Sequence, residues 1–493
     1  MVTILKDRRR TAQAAFPART GFGPGRSAFA VAVCLIASVI APNHAAAQPT
    51  TGCVLAPSVD DPPGTLPDDV CDVNSNNEAN FDALAWRIFK FLVWPASNAE
   101  RGKPDTARKI TEMDGPRTFE TFKADWETFQ PLAEPPTPWD SPYPRLATPC
   151  ANHPEIRPFD LVLASFTKFG NLREVVGPGL SYVLIAQNRT YVRYLAAYNR
   201  MVFDKIAQDR LYNADTVAGI VPPVPGQPVP DATRELPGAL TVKSAWIEIT
   251  GPSRQQIDSS RFYIRHDAWL QDPNDQTCRK ASAALVALHF VYKTPSRPQW
   301  IWSTFEHVDN VPESGESPRT GHTFNNGDLG APMGDDAKPD YQIPLPQGAQ
   351  GPGDPPRPYQ VERLQSITAS AQDANRNWQG ALRNRNSVWQ HYKLVLTQWP
   401  FTPFAPNQGA GGVNPLPQCA QRDGPATANT VLETFLQTSN ACLPGLTCMG
   451  CHDGARRTDF VWSIRMNPYK PPNSRSTTRR DAIEELRDVL KQR

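Results

Sequence analysis

Residues 281–310 read ASAALVALHFVYKTPSRPQWIWSTFEHVDN, and this stretch decides the fold class. It holds two runs dense in Val, Ile, Trp, Tyr and Phe, 281–293 and 300–307, separated by a Thr-Pro-Ser-Arg-Pro cluster. Branched and aromatic side chains fit the pleated, half-buried surface of a sheet, and proline-serine clusters punctuate strands, so the two runs are expected strands. Working outward, residues 240–250 and 261–270 have the same texture, and 392–399 adds another expected strand of a mainly antiparallel sheet. Helical periodicity flanks them. In 81–93 the positions Leu84, Ile88, Phe91 and Leu92 recur at spacings of three and four until Pro95 stops the pattern. In 191–211 the positions Tyr194, Leu195, Tyr198, Val202 and Ile206 form one apolar stripe, which predicts a second helix. Short helices are expected at 429–437 and at the C-terminus, where Ile483, Leu486 and Leu490 share a face. The class is therefore α+β: a large mixed domain with flanking helices, then a small helical C-terminal segment.

The boundaries follow from composition. Residues 1–47 read as an export leader: Arg8, Arg9 and Arg10 precede an apolar run from Ala28 to Ile40, and Ala45-Ala46-Ala47 supplies a small-residue cleavage site. That run is short for a membrane span, and no later stretch is long and apolar enough to cross a bilayer. Residues 48–80 form an irregular lead-in, 81–404 the large domain and 405–493 the C-terminal segment; 311–360 is a long Gly, Pro and Asp loop. Removing the leader's Lys6, Asp7 and five arginines takes the formal charge from +2 to −3, which argues against general nucleic-acid binding. The 51 prolines among 493 residues, about twice the usual share, predict much proline-pinned loop on the surface.

An exported chain meets an oxidising compartment, where thiols pair. Of nine cysteines, Cys34 lies in the leader, and Cys448 and Cys451 belong to Cys448-Met449-Gly450-Cys451-His452. The other six allow 15 connectivities. Proximity along the chain favours Cys53 with Cys71 and Cys419 with Cys442, leaving Cys150 for Cys278.

The C-x-x-C-H order provides two thiols for the vinyl groups of one porphyrin and an imidazole for its iron. Chance would produce it roughly 0.003 times in a chain of this composition. A redox or zinc C-x-x-C is the alternative, but zinc needs a second pair of close ligands and the sequence has none nearby. The expected cofactor is thus one covalent haem c on Cys448 and Cys451, with His452 as the proximal metal ligand. Arg456 and Arg457 follow within two turns and are expected at a propionate. Only 41 residues follow His452. Met466 is the one later methionine, so the far side of the haem is expected to draw on the large domain: His307 first, then His289. No H-E-x-x-H, P-loop or G-x-S-x-G motif is present.

Several stretches carry a family resemblance: Trp86 to Phe89 with Leu92 to Pro95, Leu211-Tyr212-Asn213, Val242 to Trp246, Lys293 to Trp302 running into Phe305 to Asn310, Thr397 to Pro400, the haem motif, and Asp459-Phe460. In these the chain resembles a family of exported, largely uncharacterised bacterial cytochrome c-like proteins. Val93 stands before Trp94 where the family pattern has Asn. The resemblance implies a single C-terminal haem and no specific reaction. Electron transfer with a redox protein partner, in the periplasm or outside the cell, is the expectation. The enzymatic alternative is an oxygenase or peroxidase in which His307, with Glu306 or Asp309, handles protons.

Overall fold

A computed structural model of the chain describes residues 57–141, 150, 153–157, 159–165, 184–220, 236–249, 257–271, 277–314, 316, 321–327, 358, 360–399, 428–434, 448, 452, 455, 458–472 and 474. The expected leader, Cys53, Cys419, Cys442, most of the 311–360 loop and the terminal helix lie outside them. The chain divides into Met1–Gln48 and Pro49–Arg493, and every described residue belongs to the second unit.

An eight-stranded sheet organises the described residues. Its strands are β1 (Lys123–Ala124), β2 (Val162–Leu163), β3 (Val192–Tyr198), β4 (Leu240–Glu248), β5 (Ile264–Gln271), β6 (Cys278–Thr294), β7 (Arg297–His307) and β8 (Tyr392–Gln398). The five expected strands correspond to β4 through β8. Strand β6 is the spine. Along one edge it pairs with β4; along the other it pairs with β5 through its first half and β7 through its second, so the sheet forks. All pairings are antiparallel except β2 with β5. The expected Cys150–Cys278 disulfide ties a loop to the start of β6, with the Cα atoms 5.3 Å apart. Cys71 is also disulfide-bonded.

One face of the sheet carries Leu240, Val242, Phe290 and Phe305, because residues paired across strands share a face. Helices α1 (Glu78–Val93) and, further along the chain, residues 369–383 cover this side through α1's Trp86 and Phe89, which pack on Phe305. Asn77 caps α1 by accepting from the Ala79 N–H, and Trp94, preceding Pro95, is extended, which ends the helix. The irregular lead-in is packed against this core: Val59 and Val70 are buried, and the Tyr292 hydroxyl donates to the Pro67 carbonyl.

Further short helices are α2 (Asp125–Thr128), α3 (Arg200–Gln208) and α4 (Ala214–Gly219); residues 369–383 form α5 (Ala369–Arg383), and α6 (Trp462–Met466) follows. The 191–211 helix expectation needs correction. Val192–Tyr198 is strand β3, fully paired with β4, and only after Asn199 does the chain turn into α3. Asn199 accepts from the Val202 N–H and donates to the Gly238 carbonyl, so the cap also pins the corner. The stripe at Val202 and Ile206 is real; its extension back to Tyr194 is an accident of spacing that sheet pairing overrides. Helix α5 was not expected because its buried row, Ala371, Asn375, Trp378 and Leu382, contains a polar residue. Asn375 belongs there: its side chain bonds both the N–H and the carbonyl of Leu394 on β8. Of the 429–437 helix expectation only the start is described: the Asn429 carboxamide accepts from Val431 and Leu432 as a helix cap does, the Glu433 N–H donates to the Asn429 carbonyl, and 435–437 lie outside the described residues. Among the described residues no helix is long and apolar enough to cross a membrane.

The other face of the sheet carries charge. Glu306 of β7 has no exposed side-chain surface and meets Arg363, Lys393 and the backbone and hydroxyl of Thr430. Burial alone would raise its carboxyl, but the two cations and the Thr430 hydrogen bonds hold it down at about 2. Because the folded value lies below the ordinary 4.5, the stabilisation is complete above about pH 4.5 and is lost as pH falls toward 2. Glu306→Gln leaves Arg363 and Lys393 sharing the half-exposed Glu313 carboxylate. It is expected to cost about 1–3 kcal/mol in denaturant unfolding at neutral pH and to flatten the acid limb of the stability profile below pH 4.5.

Candidate functional site

Three adjacent strands build the wall of a cleft. In register, Thr241 of β4 lies opposite Val291 of β6, which lies opposite Trp302 of β7; Lys243, His289 and Thr304 form the next row. Alternation along each strand puts all six on the face away from α1. The β6–β7 ladder slips between Tyr292 and Thr294, and near the slip Trp300 takes a positive φ of 77°. A bulky residue there is strained, and it is retained because the Trp300 indole N–H donates to the Asp459 carbonyl at 2.9 Å.

The chain that faces this wall comes from the C-terminal segment. Cys448 and His452 are each helical in backbone. After His452 the backbone folds tightly: Thr458 N–H and Phe460 N–H both donate to the Ala455 carbonyl. Asp459 and Phe460 then have successive positive φ values of 51° and 64°. Two left-handed non-glycine residues in a row are unfavourable by about 1–2 kcal/mol each. What holds them is Lys293 of β6, whose ammonium lies 2.5 Å from the Asp459 carboxylate and 4.8 Å from the Trp300 ring centre. Both charged side chains are buried, at 0% and 4% exposure. The consequence is at the next residue: the Phe460 carbonyl accepts from Nδ1 of His452 at 2.5 Å. That bond puts the proton on Nδ1 and the lone pair on Nε2.

Between loop and wall lies a narrow cleft lined mostly by aromatic and aliphatic side chains, with His289, His452 and Lys243 among the polar ones. The His452 ring lies 5.8 Å from Trp302, tilted by 56°. Trp302 also has a buried indole N–H that meets no acceptor among the described residues. Helix α6 closes one side through Trp462 and Ser463. It is docked by the strand-like pairing of Tyr469 with Asn213, with the Ala214 N–H donating to the Tyr469 carbonyl.

The structure brings together some of the expected residues and separates others. His452 and His289 share the cleft, and Cys448 packs against the main core. Cys451, Arg456 and Arg457 lie outside the described residues. His307, the first choice for the far side of the haem, is elsewhere. Alternation along β7 turns it to the face opposite Trp302, where it stacks on Phe262 at 3.7 Å. Its Nε2 donates to the Arg261 carbonyl at 3.0 Å and its Nδ1 accepts from the Asp309 N–H at 3.1 Å. Burial lowers its pKa to about 3, so it stays neutral. Glu306 is committed to Arg363, and Asp309 takes a two-pronged bond from Arg261. The expected proton-handling group therefore does not converge on the cleft. Met466 is buried in α6 and does not line it. Sequence reading missed Lys293, Asp459 and Phe460 as site residues, although all three lie in stretches that carry the family resemblance; Trp300 and Trp302 read from sequence as either a ligand platform or core.

Comparison with known protein families, with curated proteins and with solved structures finds no match to this chain.

Lys293→Met is expected to release the loop. Amide exchange at Phe460 and Val461 should accelerate at least about tenfold, equivalent to about 1.4 kcal/mol, while β6 amides near Leu285 stay protected. Asp459→Asn should do the same, and the double variant should cost less than the two singles added together. Unchanged loop exchange in Lys293→Met would show that the ion pair does not hold the turn.

Proposed function

We propose that the protein is an exported electron carrier with one haem c, bound through Cys448 and Cys451, ligated by His452 and exchanging electrons with a redox protein partner. The observation that carries this reading is the bond from His452 Nδ1 to the Phe460 carbonyl. Metal-ligating histidines characteristically donate their second ring N–H to a carbonyl or carboxylate, which fixes the tautomer and raises the basicity of the other nitrogen. Here the carbonyl is itself held by a buried ion pair two links away, so the imidazole is oriented before any ligand arrives.

The chemistry of the surroundings suits an apolar ligand. The cleft walls are mainly aromatic, and Trp302 brings a buried donor that an acceptor-bearing ligand would satisfy. Cys448 is partly buried against the core, and the order of the motif puts the second thiol, Cys451, next to His452, as attachment beside the ligated iron demands. Arg456 and Arg457 are assigned to the propionates, since a partly buried carboxylate needs a charge-assisted partner. When bound, the haem supplies reversible one-electron chemistry at a potential set by axial ligation, burial and hydrogen bonding. The chain's own contribution is to orient His452, to exclude water with Trp302, Phe460 and Trp462, and to present the C-terminal segment on a rigid sheet. A periplasmic or secreted location is supported by the Cys150–Cys278 disulfide together with the leader-like residues 1–47. Electron transfer is favoured over oxygenase or peroxidase chemistry because His307, Glu306 and Asp309 do not reach the cleft.

Protein exported from cells competent in haem attachment should keep its colour through acid–acetone extraction, and a Cys448→Ala, Cys451→Ala double variant should lose it. Haem that passes into the organic layer from the native protein, or native protein that is colourless when so produced, would refute the assignment.

A further inference from the structure

We infer that His289 supplies the second axial nitrogen, making the site a bis-imidazole centre shared between the C-terminal segment and the sheet. This rests on the reading of His452 as a haem ligand. The argument begins with supply. Of the eight histidines, His44 lies in the leader-like segment outside the described residues, and the other six besides His452 are placed. His153 lies against Trp269, His266 is exposed beside Ser282, His307 is sealed between Phe262 and backbone groups, His391 is half-buried beside Arg261, and His322 bridges to Asn325. Only His289 joins His452 on the cleft among the described residues. The described methionines are Met113, Met201 and Met466, and none lines it.

Placement supports the role. His289 sits in the half of β6 that is paired on both edges, with Lys243 on one side and Thr304 on the other. Its backbone is thus fixed by two ladders, and only its two side-chain torsions remain to be set, which is the rigid support a ligand needs. It is 7% exposed, so little water competes for it. Thr304 is itself anchored, its hydroxyl accepting from the Asn429 carboxamide at 2.9 Å. The wall also carries Lys243, the cross-strand neighbour of His289. An ammonium has no lone pair to give a metal and an indole N–H only donates, whereas a neutral imidazole keeps a lone pair on one ring nitrogen. A six-coordinate iron closed to small ligands also suits electron exchange better than oxygen chemistry.

The test uses the exported, haem-loaded protein. Native protein should show a low-spin spectrum and take up carbon monoxide slowly or not at all in the reduced state. His289→Ala and His289→Gln should both keep the covalent haem yet become high-spin and bind carbon monoxide readily. Added imidazole should restore the low-spin spectrum of the alanine variant, a rescue that a merely structural histidine would not show. His266→Ala, at an exposed position, should behave as native. If native protein binds carbon monoxide freely, or if both His289 variants keep the native spectrum and affinity, the inference is overturned while the haem reading stands. If no covalent haem is present in native protein, the haem reading itself has failed.

Discussion

The ion pair between Lys293 and Asp459 is the contact on which the cleft depends. Taking an ammonium and a carboxylate out of water costs several kcal/mol per ion before their attraction is counted, so such a pair is a poor source of net stability. Its value is in what it forbids. With Lys293 fixed on a strand of the sheet, loop arrangements that bring the Asp459 carboxylate to its buried ammonium are favoured over those that carry it away. The arrangement adopted contains two consecutive left-handed residues and a strained Trp300, tied together by the indole N–H on the Asp459 carbonyl. The outcome is a backbone carbonyl, that of Phe460, aimed at His452.

The rest of the fold reads as support for that arrangement. Strand β6 forks the sheet and so can pair with β4 on one side and β7 on the other at the height of the cleft, giving a wall from three strands. Helices α1 and α5 back that wall with stacked aromatics, Trp86 on Trp378 and Phe89 on Phe305. Glu306 fastens the 428–434 turns to the wall's own face through Thr430, and Tyr469 fastens the far end of α6 beside Asn213. The C-terminal segment is thus held at several points by polar contacts that set position, while Val461 and Ile464 join the main apolar core and Val431 and Leu432 a second apolar cluster.

How much of this was legible beforehand depended on the range of the interaction. Strands β4 to β8 were visible because branched and aromatic residues cluster locally, and α1 because its apolar row is unbroken up to Pro95. The Tyr194 stripe misled because a helical spacing in sequence carries no information about the partner strand, and seven paired residues with β4 outweighed it. Asn375 hid α5 for the converse reason: its polarity is satisfied by Leu394, far away in sequence. His452 stood out because its motif is local and chemically specific. His307 was preferred over His289 on the strength of neighbouring carboxylates, but those carboxylates are bound to Arg363 and Arg261, and strand alternation sends the histidine to the other face. The Lys293–Asp459 contact joins residues far apart in sequence, and no local pattern announces it.

The account makes one spatial claim above all: that an iron sits against His452 in the cleft walled by Trp302. Anomalous scattering at the iron edge from crystals of the haem-loaded protein measures this directly. The account predicts a single iron peak beside Nε2 of His452, with density for a macrocycle continuous with Cys448 and Cys451 and with the Lys293–Asp459 pair intact. No iron peak, or one remote from His452, would contradict it.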